Sequence, residues 1–348
     1  MNDKKFSVIL TVDTEGHRGD DPVGKLILGQ TAEGAFGIEK IMDVCDAYNV
    51  KALFFLDFAE AWDYGYDKIK EVVKLILKRG HDIGVHIHPD HMLDKDRAFL
   101  WQYSESEQRN MIEKCTQLYK DLVGKSPVSF RAGKYSANRT TLDILNDLGY
   151  RYDFSQFYHQ KWCKIDPPIT VNAPCKYKNL TEFPVTMHRS IHLMGIFRED
   201  KIDIEQMLPC ELQYAFSQVE LQDFPVTVTL FLHSFSLLDW VNNPSAPKLD
   251  PVKLDKFEKA IAFVSGSQSF SFINEDALDM VPILSEKDAL NTEIRWKSLL
   301  RGIYYTYQKA KRISGRNNKA KALVTAVRIF TILLFTCLVL LLANVFTG

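Results

Sequence analysis

Short apolar segments of strand length alternate with segments of helical periodicity through most of the first 275 residues. Residues 6–12 and 51–56 have the composition of buried strands, and residues 34–48 and 66–79 have helical spacing. Further strands are predicted at 81–88, 128–131, 150–153, 181–185, 226–233 and 270–273, with helices at 105–123, 140–148 and 251–264. This alternation predicts an α/β fold, either a barrel or a doubly wound sheet of roughly seven parallel strands.

Polar residues stand at the ends of five predicted strands. They are Asp13 and Glu15 after the first strand, His86 and His88 in the third, and Arg131, Asp153 and His233 at later ones. The carboxyl ends of parallel strands meet at one edge of a sheet, where the active sites of such folds lie. We therefore expect these side chains to form one site.

The segment 80–91 contains four of the nine histidines of the chain. Val85 and Ile87 alternate with His86 and His88, so in a strand the two imidazoles project from the same face. Neutral ring nitrogens placed in this way can share a divalent ion. Residue His91 follows the proline that ends the strand, and it either reaches back to the same ion or contacts a substrate.

The residue types favour metal-assisted hydrolysis. Of the two carboxylates at Asp13 and Glu15, one can bind a cation while the other accepts a proton from water. Arg131 would orient Asp13 and keep it ionised, and a protonated His233 would donate to the leaving group. The sequence has neither a G-x-S-x-G elbow nor a glycine-rich phosphate loop, which argues against a serine nucleophile.

Residues 5–275 resemble the polysaccharide deacetylase family. Five segments, in order, are similar to the five motifs of that family: Leu10–Gly16, Gly80–His86, Phe130–Tyr135, Tyr152–Ser155 and Leu230–His233. The resemblance implies a distorted parallel (β/α) barrel, zinc or another divalent transition ion, and hydrolysis of an N-acetyl group on an amino sugar. It also implies that Asp13 is the base, that Arg131 holds this base and that His233 is the general acid.

The resemblance implies that Glu15 and His86 are metal ligands. In the more common form of the second motif the histidines are four residues apart, and Asp90 occupies that second position here. The third ligand is therefore either His88, which the strand geometry selects and which we favour, or His91, which a loop insertion would bring to the ion. We further expect the substrate to contact Tyr135 and Asp153.

The C-terminal segment 329–346 has eighteen residues without a charge, which corresponds to about 27 Å of helix. It predicts a single transmembrane helix. Ten basic residues lie between 295 and 328 and none follows, so the positive-inside rule predicts a cytoplasmic N-terminal domain. Aromatic residues lie among these cations, which suits either a segment bound to anionic lipid head groups or a solvated basic helix. The four are Trp296, Tyr304, Tyr305 and Tyr307.

These patterns predict three parts: a catalytic domain at 1–285, a basic and aromatic membrane-proximal segment at 286–328, and a transmembrane helix at 329–346. The 43 basic and 44 acidic residues nearly balance, which argues against binding to nucleic acid. We expect a membrane-anchored, metal-dependent deacetylase that acts on a polysaccharide or a lipid-linked sugar. The alternatives are a hydrolase of another C–N bond, such as a cyclic amide or formamide, and a non-catalytic sugar-binding protein that organises a membrane complex.

Overall fold

The computed structural model describes residues 6–193, 196–315, 317–327 and 329. The chain divides into two compact units. The first unit includes the described residues up to 188 together with 199–294, and the second includes 189–198 and the described residues from 295 onwards.

The described strands and helices follow the predicted alternation closely. The strands are β1 (Phe6–Thr14), β2 (Gln30–Thr31), β3 (Gly34–Ala35), β4 (Leu53–Asp57), β5 (Asp82–Ile87), β6 (Ser129–Ala132), β7 (Tyr152–Asp153), β8 (Cys175–Tyr177), β9 (Leu180–Glu182), β10 (Met187–Leu193), β11 (Ile196–Lys201), β12 (Thr227–His233), β13 (Phe270–Ile273) and β14 (Ile294–Arg295). The helices are α1 (Ile38–Ala47), α2 (Glu60–Tyr64), α3 (Tyr66–Lys78), α4 (Glu105–Val123), α5 (Arg139–Asp147), α6 (Pro209–Val219), α7 (Pro251–Ser265), α8 (Glu286–Ala289) and α9 (Leu299–Ile313).

The main sheet has the strand order β12-β1-β4-β5-β6-β7-β9-β8, and β13 pairs with the first half of β1. All neighbours are parallel except β8, which returns antiparallel to β9. The predicted parallel α/β architecture is confirmed. The implied distorted parallel barrel is present as a curled half-barrel, in which the antiparallel β8 ends the parallel series of described strands.

The register of the sheet brings the polar strand ends together. Asp13 on β1 is opposite His233 on β12, and His86 on β5 is opposite both Asp57 on β4 and Arg131 on β6. The strands β1 and β4 are almost entirely buried, which explains why their sequences are continuous apolar runs. The site residues are therefore attached to the buried centre of the sheet.

Helix α1 begins four residues later than the predicted helix 34–48. Strand β3 pairs with β2 in a short hairpin, and Gly37 separates the hairpin from the helix. A Cβ atom at Gly37 would lie 2.1 Å from the carbonyl oxygen of Ile27, so this position tolerates only glycine. The start of α1 is thus set by the close packing of the backbone at Gly37 against the backbone at Ile27. The helical periodicity of the sequence carries no information about this contact.

In the second unit, Trp296 is fully buried and packs edge-on against the ring of Tyr305, with a centroid distance of 5.7 Å. These two aromatic rings are therefore covered by protein, and they are exposed neither to lipid head groups nor to solvent, the two alternatives considered for this segment. Tyr304 is exposed. No helix in the described ranges is both long and apolar enough to cross a bilayer. The predicted transmembrane segment 329–346 lies outside the described residues, apart from Ile329, and stays a prediction.

The buried carboxyl group of Glu275 gives a pH-dependent stability prediction. Burial raises the pKa of Glu275 to about 7, despite a hydrogen bond of 2.6 Å from the Ser129 hydroxyl to its Oε1. The folded state therefore holds this proton more tightly than the unfolded state, and stability falls as pH rises from about 4.5 to about 7. We expect Glu275→Gln to raise the unfolding free energy at pH 8 by up to about 3 kcal/mol.

Urea unfolding of Glu275→Gln at several pH values between 4 and 8 measures this effect. The gain should vanish at the acidic end, where Glu275 is protonated in both the folded and the unfolded states. The matched control is Glu113→Gln on the exposed face of α4, which should produce no such gain. A variant whose stability follows the wild-type pH dependence would contradict the assignment.

Candidate functional site

A cavity of 810 Å³ lies at the carboxyl ends of the central strands. Its lining combines acidic, basic and aromatic side chains. The residues are Asp13, Glu15, Gly16, His17, Arg18, Glu60, His86, His88, Asp90, His91, Lys134, Tyr135, Phe157, Gln160, Trp162, Lys201, Glu205, Gln206, Phe231, His233, Phe235 and Trp240. The predicted convergence of several polar strand ends on one site is thus present in the fold.

Asp13 and Arg131 form a buried ion pair at the base of this cavity. Arg131 Nη1 donates to Asp13 Oδ1 at 2.6 Å, and Arg131 Nη2 donates to Thr11 Oγ1 at 3.1 Å. The guanidinium is fully buried and also lies 4.3 Å from the ring centroid of Phe55. A paired, hydrogen-bonded cation in this position fixes the orientation of Asp13.

Glu15, His86 and His88 each offer one ligand atom to a common point, and these atoms lie within 4.8 Å of one another. Glu15 Oε2 lies 3.2 Å from His86 Nε2 and 2.6 Å from His88 Nε2. The Nδ1–H of His86 donates to the carbonyl oxygen of Arg131 at 2.8 Å. This bond orients the ring so that Nε2 faces Glu15 at 3.2 Å, the arrangement that a backbone carbonyl gives a metal-ligating histidine.

Glu15 and His88 shift each other's pKa in opposite directions. Burial raises the pKa of Glu15, but the charge of His88 and hydrogen bonds from both histidines lower it well below its usual range. Burial lowers the pKa of His88, but the charge and the hydrogen bond of Glu15 raise it to about 9. One carboxylate and two imidazoles form the donor set of catalytic zinc sites, which leave further coordination positions open.

His91 lies apart from the Glu15 cluster. Its ring centroid is 6.5 Å from that of His88, and its ligand atom groups with those of Asp57 and Glu60. Its Nδ1–H donates to Asp63 Oδ2 at 2.8 Å. Of the two competing histidines, the geometry therefore brings His88 to the cluster of Glu15 and directs His91 elsewhere.

His233 projects from the end of β12 toward the same cluster, with its Nε2 atom 3.7 Å from Glu15 Oε1. On the other side of the ring, Nδ1–H donates to Glu205 Oε1 at 2.7 Å. Burial lowers the pKa of His233, but the charge and hydrogen bond of Glu205 raise it to about 9. The imidazole is therefore protonated at neutral pH and can donate a proton from Nε2.

The two residues expected to contact a substrate have different positions. Tyr135 lines the cavity, and it and Lys134 have left-handed backbones with φ of 56° and 55°. Such conformations are strained in non-glycine residues and are common at functional sites. Asp153 is fully buried and is not among the described residues that line the cavity; its Oδ1 accepts from the Ser155 hydroxyl at 2.7 Å.

The sequence reasoning missed Glu205 and Lys201, which both line the cavity. Glu205 holds His233, and the ammonium group of Lys201 lies 3.7 Å from the ring centroid of Phe231. Both lie in the segment 154–205, where the irregular pattern gave no strand prediction for β10 or β11. The only available signal was composition, since a lysine and two acidic residues occur within five positions there.

Comparisons with known proteins give a consistent family signal. Residues 2–152 match the family model described as polysaccharide deacetylase. A peptidoglycan deacetylase of Helicobacter pylori is 24% identical over 158 residues, which cover 42% of this chain and 50% of the relative. A peptidoglycan deacetylase-like protein of Gibberella zeae is 23% identical over 167 residues, which cover 45% of this chain and 45% of the relative. The aligned part of the chain thus spans about half the length of the curated relatives it matches.

Solved structures show the same fold. A polysaccharide deacetylase described as putative, from Mycobacterium smegmatis, has a TM-score of 0.53 at 16% identity, with 80% of this chain and 90% of that chain covered. Puue allantoinase has the same TM-score and coverage at 13% identity. Identities this low establish only a shared fold. The match to the polysaccharide deacetylase model spans residues 2–152, so this part of the chain is similar to that family.

Proposed function

We propose that the chain is a metal-dependent hydrolase that removes the acetyl group from an N-acetylated amino sugar of a polysaccharide such as peptidoglycan. The observation that carries the proposal is the presence of a held carboxylate, Asp13, and a protonated imidazole, His233, beside the same three-residue metal cluster. The family match and the names of the two curated relatives support the substrate class.

Glu15, His86 and His88 would hold the metal, and we propose zinc because two imidazoles and one carboxylate are its common ligands. When bound, such an ion polarises the scissile carbonyl group and lowers the pKa of water. The fit rests on His86, whose Nδ1 donates to the backbone and whose Nε2 faces Glu15.

The remaining chemistry belongs to the side chains. Asp13 accepts a proton from the attacking water, and Arg131 holds that carboxylate in position. His233 donates its Nε2 proton to the amide nitrogen as the C–N bond breaks, and Glu205 holds the ring in position for this transfer. Water and the amide are thereby converted to acetate and a free amine.

Aromatic side chains support a sugar substrate. The cavity wall includes Phe157, Trp162 and Trp240, whose faces can stack on pyranose rings. We extend the proposal to a lipid-linked sugar and to a cytoplasmic domain held by a C-terminal membrane helix. These two extensions rest on the segment 329–346 and its basic flank in the sequence alone.

The direct experiment measures acetate release by the purified chain from N-acetylated chitooligosaccharides and from peptidoglycan fragments. The proposal predicts turnover that chelation abolishes and zinc restores. Cyclic amides and formamides, assayed in parallel, distinguish another C–N hydrolase, since turnover of these alone would reject the sugar substrate. Sugar binding without turnover in the metal-loaded protein would favour the non-catalytic alternative.

The general-acid role of His233 predicts a dependence on the leaving group. We expect His233→Asn to reduce turnover of the N-acetylated sugar by about 10²–10⁴-fold, because an amine needs a proton in order to leave. An aryl acetate, whose phenolate leaves without protonation, should lose much less activity. Comparing kcat for both substrates in wild type and variant tests this. Equal losses on the two substrates would instead indicate a structural role for His233.

A further inference from the structure

We propose that Asp57, Glu60 and His91 form a second divalent-cation site, separate from the cluster of Glu15, His86 and His88. The three side chains each offer one ligand atom, and these atoms lie within 4.8 Å of one another. Asp57 ends β4, Glu60 begins α2, and His91 follows β5. The metal chemistry proposed above assigns no role to any of them.

Two carboxylate oxygens in this cluster accept no hydrogen bond from the described residues. Asp57 and Glu60 are fully buried, and Asp57 Oδ2 and Glu60 Oε2 have no hydrogen-bond partner among the described residues. Buried carboxylates are costly unless they are paired, protonated or bound to a metal. Two such oxygens beside each other point to a ligand that supplies positive charge.

The other oxygen of each carboxylate is fixed by backbone donors. Asp57 Oδ1 accepts from the N–H groups of Ala59 at 3.0 Å and His88 at 3.3 Å. Glu60 Oε1 accepts from the N–H group of Gly16 at 2.5 Å. The unpaired oxygens are therefore held in fixed directions, as the ligands of a metal site are.

His91 is oriented in the way that metal-ligating histidines are. Its Nδ1–H donates to Asp63 Oδ2, so its Nε2 is the free ring nitrogen. That atom lies 4.0 Å from Asp57 Oδ2, which is too long for a hydrogen bond. A cation between the two atoms would bind both.

The donor set indicates the class of cation. Two carboxylates and one imidazole make a site richer in oxygen than the Glu15 cluster, and oxygen ligands favour Mn²⁺ over softer ions. Glu60 and His91 both line the cavity, so an ion can enter from solvent. The competing explanation is that Asp57 and Glu60 share a proton.

Equilibrium binding of Mn²⁺ to the metal-free full-length protein, followed by the EPR signal of free Mn²⁺, tests the proposal. We expect two equivalents in wild type and one in Glu60→Gln. The matched control is Asp67→Asn, an exposed carboxylate on the neighbouring helix α3, which should retain two. His86→Ala should also bind one equivalent, and the double variant His86→Ala/Glu60→Gln none.

Thermal unfolding shows whether a variant fails to bind Mn²⁺ because it is misfolded. In the His86→Ala protein, Mn²⁺ should still raise Tm through the second site, and the additional Glu60→Gln change should abolish that increase. One equivalent in wild type that persists in Glu60→Gln would overturn the proposal in favour of a shared proton. A third outcome is that wild type binds one Mn²⁺, that His86→Ala still binds it, and that Glu60→Gln does not. This outcome would support the second site and count against the metal cluster of the proposed function.

Discussion

Replacing Asp13 by Asn is expected to lower kcat for deacetylation by about 10²–10⁴-fold, the range that loss of a general base produces. Asn has the same shape, and its amide oxygen can still accept the 2.6 Å hydrogen bond from Arg131. It cannot take a proton from water. Acetate release from an N-acetylated oligosaccharide, measured over a range of substrate concentrations, should show the loss in kcat, with little change in KM.

The metal content of Asp13→Asn separates a base from a ligand. Asp13 lies outside the three-residue cluster, so the variant should hold as much metal as wild type. Asp67→Asn on the exposed face of α3 serves as the control, with wild-type activity expected. Activity within tenfold of wild type in Asp13→Asn would remove it from the role of base, and loss of metal would reassign it as a ligand.

His86→Ala is the second change with a large expected effect. We expect the Glu15 cluster to lose its metal and deacetylation to fall by about a thousandfold, which corresponds to about 4 kcal/mol of transition-state stabilisation. The strand position, the buried ring and the tautomer set by the Arg131 carbonyl all direct this imidazole at Glu15. Elemental analysis and acetate release on the same samples measure both losses.

His81→Ala is the matched control, because His81 is also buried and precedes the same strand. Its Nδ1 accepts from the backbone N–H of Ala52 at 3.1 Å, which is a structural role. We expect this variant to be less stable but to keep its metal and its kcat. If His86→Ala retained full zinc content and activity while His88→Ala lost neither, the proposed metal site would be wrong.

The parallel fold could be predicted because the pattern of apolar residues indicates which strands and helix faces are buried. Strands covered on both faces, such as β1 and β4, must be continuous apolar runs, and the helices between them carry one apolar face. Strands such as β8 and β11 were missed because each is short or carries mixed polar residues. The open edge of the sheet was missed because the direction of β8 depends on a turn and not on periodicity.

The sequence could predict those site residues that lie at the ends of strands. Asp13, His86, Arg131 and His233 come together because neighbouring parallel strands are aligned at their carboxyl ends. The choice between His88 and His91 depends on the turn Pro89–His91, which points the second ring toward Asp63. Glu205 lies 28 residues before the histidine it holds, and no local pattern connects the two.

Arg131 joins the two halves of the site through different parts of one residue. Its guanidinium donates to the Asp13 carboxylate, and its backbone carbonyl oxygen accepts a hydrogen bond from His86 Nδ1–H. The spacing between the proton acceptor and the imidazole is thus set by a single rigid strand. Glu15, on the loop beyond β1, is free of that constraint. Under the proposed function, exchanging residues 15 and 16 should therefore change the cation preference while the pairing of Asp13 with Arg131 stays constant.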